Sequence, residues 1–131
     1  MKKREIEFLS LAELIEIHNN QIGLYGGEYG IRDISLLSSA LSMPLASFDG
    51  RYLHDGLFDM AAAYIYHICQ NHPFIDGNKR VALVAGLLFL DFNGVEIRDP
   101  HEELYPMMMK VASGRGDKKY IAGVLKKLAV E

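Results

Sequence analysis

Apolar and polar residues along this chain recur mostly with the spacing of helices. Leu11, Leu14, Ile15 and Ile17 fall on one face of a helical repeat. Just before them, Ser10-Leu11-Ala12-Glu13 has the form of a capping box, so a first helix is predicted from Leu11 to about Leu24 and ended by Gly26-Gly27. Asp33 predicts the cap of a second helix, which carries Leu36, Leu37, Ala40 and Leu41 and stops at Pro44. The helical repeat is lost from Leu45 to His54, which reads as a loop or short hairpin with Asp49-Gly50 at its turn.

Two segments follow that leave almost no polar face. Asp55 to Gln70 carries Leu57, Phe58, Met60, Ala61 to Ile65 and Ile68, and Val81 to Phe92 is nearly as apolar until Asn93-Gly94 ends it. Helices that are apolar all round belong at the centre of a fold. Val95-Glu96-Ile97 reads as a short extended stretch, and Asp99-Pro100 predicts the cap and first-turn proline of a helix reaching about Ser113. Asp117 opens a last helix with Ile121, Val124, Leu125 and Leu128 on one face. No repeat, low-complexity segment or linker interrupts this order. The expected fold is all-α: one domain over residues 1–131, a compact bundle of about six helices with a short flap loop or hairpin.

Composition narrows the class. Hydrophobic residues make up 50% and charged residues 24% of the 131, which excludes a disordered or fibrous chain. The longest apolar run, Val81 to Leu90, is half of the roughly 20 residues a membrane span needs. Met1 to Arg4 is basic, but no apolar stretch follows before Ser10, so a signal peptide is not expected and the cytoplasm is the expected compartment. The single cysteine, Cys69, lies in an apolar pattern and reads as a buried, inert thiol. A net charge of −3 argues against a dedicated nucleic-acid binder. Lys118, Lys119, Lys126 and Lys127 read as the solvated face of the last helix.

Between the two apolar segments stands Asn71-His72-Pro73-Phe74-Ile75-Asp76-Gly77-Asn78-Lys79-Arg80. So many polar groups beside a core are costly without partners, so the stretch is either a satisfied structural network or an active site. Pro73 disfavours helical geometry at His72, and Asp76 is placed to cap the next helix. The amides around Gly77, Asn78 and Lys79 would then lack helical partners and form an anion site, with Lys79 and Arg80 as cationic donors. Asp76 suits Mg²⁺ beside a polyphosphate, and His72 suits a general base near neutral pH. The structural alternatives are an Asp76–Arg80 ion pair, a His72 bond to the end of the preceding helix, and an Asn78 bond within the turn. Phe74 and Ile75 read as core anchors. His67 and His72 do not share a helical face, which argues against zinc.

His72 to Arg80 closely resembles the H-x-F-x-D-x-N-K-R signature of the Doc (death-on-curing) branch of the Fic/Doc superfamily. The likeness extends to Tyr25-Gly26-Gly27, Gly30-Ile31-Arg32-Asp33, Leu36-Leu37 through Ala40-Leu41, Pro44, Ala61 to Tyr64, and Leu87 to Gly94. It implies a Fic-type helical fold and transfer of a nucleotide phosphate group to a protein hydroxyl. By that resemblance His72 is the general base, Asp76 holds Mg²⁺, Gly77, Asn78, Lys79 and Arg80 bind phosphates, and Ser47 to His54 is a target-docking flap.

Adenylyl-transferring Fic proteins carry G-N-G-R-x-x-R. Here Lys79 replaces the second glycine and Leu83 stands where the last arginine would grip the outer phosphates. Without that grip the β- and γ-phosphates are poorly held as a leaving group, which favours kinase chemistry. The resemblance therefore implies a toxin that uses ATP and Mg²⁺ to phosphorylate a threonine of elongation factor Tu and block translation. No segment resembles the [S/T]-x-x-x-E-[G/N] helix of self-inhibited relatives. The implied partner is a separate Phd-like antitoxin, with contact to nucleic acid only through that complex. Two alternatives stand beside this one: nucleotidyl transfer (adenylylation), and a non-catalytic module of a toxin–antitoxin repressor complex.

Overall fold

A computed structural model describes residues 5–130; the basic run Met1 to Arg4 lies outside them. The described chain forms six helices and one two-stranded hairpin: α1 (Leu11–Tyr25), α2 (Ile34–Ser42), β1 (Ser47–Phe48), β2 (Arg51–Tyr52), α3 (Leu57–Asn71), α4 (Asn78–Phe92), α5 (Leu104–Ala112) and α6 (Lys118–Leu128). The all-α expectation holds, with the hairpin as its flap.

Local signals set most of the element ends. At α1 both bonds of the capping box form, Glu13 N–H to Ser10 Oγ at 3.1 Å and Ser10 N–H to Glu13 Oε1 at 2.8 Å. Asp33 accepts Leu36 N–H at the start of α2, and Asp117 accepts Tyr120 N–H at the start of α6. Asp49 and Gly50 both have positive φ, 53° and 78°, which gives the type I′ turn whose twist suits a two-residue hairpin.

α3 is the central helix. It packs against α4, α6, α2 and α5, and Met60 to Ile65, Ile68 and Cys69 are all buried. Its contact with α4 is close because Gly86 has no side chain; a Cβ there would stand 2.6 Å from Ile65. The Tyr64 hydroxyl, wholly enclosed, accepts Leu9 N–H at 2.9 Å, and burial pushes it up to about 12 against that bond. Burial likewise raises the Cys69 thiol, in keeping with an inert buried cysteine. Val95 to Ile97 joins the C-terminal end of the chain: Ile97 bridges Ala129, and Val130 N–H donates to Glu96 O. Among the described residues no helix is long and apolar enough to cross a membrane.

Two expectations fail locally. α5 starts at Leu104 rather than at Asp99-Pro100, because the chain turns through Glu102 at φ 54°. The Asp99 carboxylate still caps the helix from a distance, accepting Glu103 N–H at 2.7 Å and Leu104 N–H at 2.9 Å. Lys118 is not on a solvated face. Its stem is partly covered and its Nζ lies 3.1 Å from His54 Nε2 and 3.2 Å from His67 Nε2, whereas Lys119, Lys126 and Lys127 are exposed.

Candidate active site

α3 ends and α4 begins on either side of a short loop whose outer face is a cleft of about 480 Å³. All six residues singled out by the sequence line it: His72, Asp76, Gly77, Asn78, Lys79 and Arg80, together with Arg32. The loop is stitched to the segment between α1 and α2. Ile75 N–H donates to Gly30 O at 3.1 Å, and Arg32 N–H donates to Pro73 O at 2.7 Å.

His72 terminates α3 in the left-handed region, at φ 48° and ψ 53°. A non-glycine residue there is strained, and such strain collects where the surroundings hold a side chain in one place. Arg32 supplies the hold, with Nε donating to His72 O at 2.6 Å and Nη2 donating to Asn71 O at 2.8 Å. These bonds also satisfy carbonyls that the end of α3 leaves open. The His72 ring donates from Nδ1 to Cys69 O at 3.2 Å. A carbonyl oxygen only accepts, so the proton of the neutral ring sits on Nδ1 and Nε2 is left as a bare acceptor. The bond to the preceding helix, weighed above as the structural alternative, thus selects the tautomer a general base requires.

Asp76 does not cap α4 in the expected way. Gly77 is the cap residue, at φ 77°, and the Asp76 carboxylate turns back to accept Gly77 N–H through Oδ1 at 2.8 Å and Glu28 N–H through Oδ2 at 3.2 Å. No Asp76–Arg80 ion pair forms among the described residues. The carboxylate nests against Gly27, where a Cβ would approach Oδ2 to 2.7 Å and where φ is +119°. Each carboxylate oxygen has lone-pair capacity beyond its one N–H. No group of three or more His, Cys, Asp or Glu converges among the described residues. A single oriented carboxylate on the lining of this cleft fits Mg²⁺, a cation usually held by one or two carboxylates plus phosphate oxygens.

The anion cradle differs in detail from its prediction. Gly77 N–H belongs to Asp76, and the first helical bond of α4 is Val81 N–H to Gly77 O at 3.0 Å. The amides of Asn78, Lys79 and Arg80 therefore precede any helical partner and lie at the positive end of the dipole. The Asn78 side chain is buried and closes the loop on itself, Phe74 N–H to Oδ1 and Nδ2 to Phe74 O, each at 3.0 Å. Lys79 is exposed beside the cleft. The Arg80 guanidinium donates to Gly26 O at 2.9 Å and Gln21 O at 3.4 Å, and lies over the Tyr25 ring. It ties α4 to the end of α1 as well as facing the cleft. Phe74 is buried as expected, but Ile75 is 52% exposed, because pairing with Gly30 turns its side chain outward over that glycine.

Sequence reasoning missed the second wall. Gly27 had entered only as a helix end and, with Arg32, as part of the family likeness, without a role at the site, and Glu28 had not entered at all. Four glycines beside a lone arginine, Gly26, Gly27 and Gly30 to Arg32 with Gly23 before them, were the available signal. His18, on the buried stripe of α1 with Leu14 and Ile22, was also passed over.

The sequence profile described as "Fic/DOC family" matches residues 8–90, more than half of the chain and the whole of this site. The chain belongs to the Fic/DOC family. Two curated relatives place it on the Doc branch. It is 33% identical to "Protein kinase doc" of Escherichia phage P1 over 120 residues, 92% of this chain and 94% of that protein. It is 41% identical to "Toxin Doc" of Mycolicibacterium smegmatis over 73 residues. That second match spans little more than half of either protein, 56% of each. His72 and Phe74 to Arg80, which the cleft gathers, all lie within the matched span.

Proposed function

We propose that this chain is a Doc-type toxin of a toxin–antitoxin pair, a kinase that moves the γ-phosphate of ATP to a hydroxyl of a protein. The observation that carries the reading is the His72 tautomer. With Nδ1 donating to Cys69 O, Nε2 is the remaining acceptor of a ring that lines the cleft. In the reaction His72 Nε2 takes the proton of the target hydroxyl as its oxygen forms a bond to the γ-phosphorus. The bond from that phosphorus to the bridging oxygen breaks, and ADP leaves. A base so placed contributes roughly 10²- to 10⁴-fold. The amides of Asn78 to Arg80 and the Lys79 amine stabilise charge on the phosphates. Mg²⁺, held by Asp76 and phosphate oxygens, would supply further neutralisation of that charge.

The names of the relatives support kinase chemistry and a toxin role. The physical sense comes from Leu83, which stands where an arginine would grip a pyrophosphate leaving group, beside Lys79 in place of the second glycine. The partner is a Phd-like antitoxin, the target elongation factor Tu, and the flap residues 47–54 dock that target. Intact-mass measurement of elongation factor Tu after incubation with ATP, Mg²⁺ and this protein tests the reading. The expected result is a gain of one phosphate, absent with His72→Ala. A gain of AMP would replace kinase activity with adenylylation, and no gain by any protein of a whole lysate would leave a non-catalytic module.

A further inference from the structure

One histidine outside the signature grips the loop at the residue assigned to the metal. His18, on α1, is 2% exposed. Its ring lies flat on the Phe74 ring, 3.9 Å between centroids and 5° between planes. Its Nε2 stands 2.8 Å from the Asp76 carbonyl oxygen. Because that oxygen only accepts, Nε2 carries the proton and donates. On the other edge of the same peptide, Gly77 N–H donates to the Asp76 carboxylate at 2.8 Å. A peptide unit is planar, so His18 and the carboxylate hold opposite edges of one rigid plate.

Such a plate needs holding at this position. Gly77 sits at φ 77°, and glycine populates either sign of φ about equally. The Asp76–Gly77 plane can therefore rotate by about half a turn at little local cost. Rotated, the carbonyl oxygen would face the carboxylate and Gly77 N–H would face the His18 donor, so both hydrogen bonds would be replaced by like-to-like contacts. The His18 N–H selects the other orientation.

We propose that His18 is a positioning residue: it locks the Asp76–Gly77 peptide and through Gly77 N–H fixes the aim of the Asp76 carboxylate and of the amides that open α4. Its consequence for metal binding rests on the function proposed above; the lock itself does not.

Geometry selects the variants. The Nε2 of glutamine stands as many bonds from Cα as the Nε2 of histidine, so His18→Gln keeps the donor. His18→Leu keeps bulk without a donor, and His18→Asn keeps polarity one bond too short. The Gly77 amide of metal-free, ¹⁵N-labelled protein is followed by NMR, and Mn²⁺ affinity in the presence of ATP by EPR, with thermal unfolding as the check on folding. His18→Leu is expected to remove the downfield shift and exchange protection of the Gly77 amide and to weaken Mn²⁺ binding roughly 10- to 100-fold, the usual effect of losing an outer-shell partner. His18→Gln is expected to restore both. If His18→Leu does not fold, His18→Asn takes its place with the same expectation. An unchanged Gly77 resonance in the donor-free variant, or a glutamine variant no better than leucine, would overturn the lock. A wild-type protein that transfers no phosphate would overturn the kinase reading, while the metal-free Gly77 resonance would still judge the lock.

Discussion

Two clusters of polar side chains contain histidine, and they use it in opposite ways. In the loop from His72 to Arg80 the side chains are held by the backbone: His72 by Cys69 O, Asn78 by both polar atoms of Phe74, Asp76 by the amides of Gly77 and Glu28. Around Lys118 the side chains are held by one another, with the ammonium donating to His54 and His67. Burial lowers both of these imidazoles and the Lys118 charge adds to it, taking His67 down to about 4. Backbone anchoring leaves His72 Nε2 and the remaining lone pairs of Asp76 open to a ligand. Pairing side chain with side chain uses those atoms up.

The sharpest test substitutes one histidine from each cluster. His72→Ala is expected to lower phosphate transfer roughly 10²- to 10⁴-fold with little change in the urea midpoint, since the ring is exposed. His67→Gln is expected to leave transfer near wild type, and an equal loss there would erase the distinction. Asn78→Ala comes next. It strands the N–H and C=O of Phe74, at about 1–3 kcal/mol for each buried group left unpaired, and urea denaturation should show that loss together with reduced transfer.

A smaller effect appears with pH. Folded His67 stays neutral down to about 4, whereas the unfolded chain takes up that proton near 6.5. The unfolded state therefore binds more protons between these values, and this contribution to stability is full above about pH 6.5 and falls away toward pH 4. Unfolding midpoints across that window should decline in wild type and decline less in His67→Gln. Least of all, Lys118→Met should move the His54 and His67 titrations upward in an NMR pH series, because one lowering charge is gone while burial stays.

The same contrast explains what could be read in advance. Caps at Ser10, Asp33 and Asp117, the Asp49-Gly50 turn and the two central helices each depend on residues close in sequence. Their chemistry is written within a few positions. The signature likewise pointed to six residues that line the cleft, while Phe74 and Ile75, read as core anchors, line it as well. What escaped is held by long-range bonds: Arg32 to Asn71 and His72, Glu28 to Asp76 and His18 to Asp76 join residues 39 to 58 positions apart. Asp76 was misread as a helix cap for a related reason. A carboxylate one residue before a left-handed glycine meets that glycine's own amide before it can reach further along the helix. Lys118 was misread because an exposed helical face and a partner on another element look alike in one dimension.

The nest around Asp76 has a further use. Gly27 leaves no room for a methyl group, and its backbone lies where other residues strain. Gly27→Ala would thus dislodge the carboxylate while every signature residue keeps its identity. If the chain is the toxin proposed above, one methyl group makes it a decoy: a protein that still presents its whole outer surface to an antitoxin, and that a cell can tolerate in quantity.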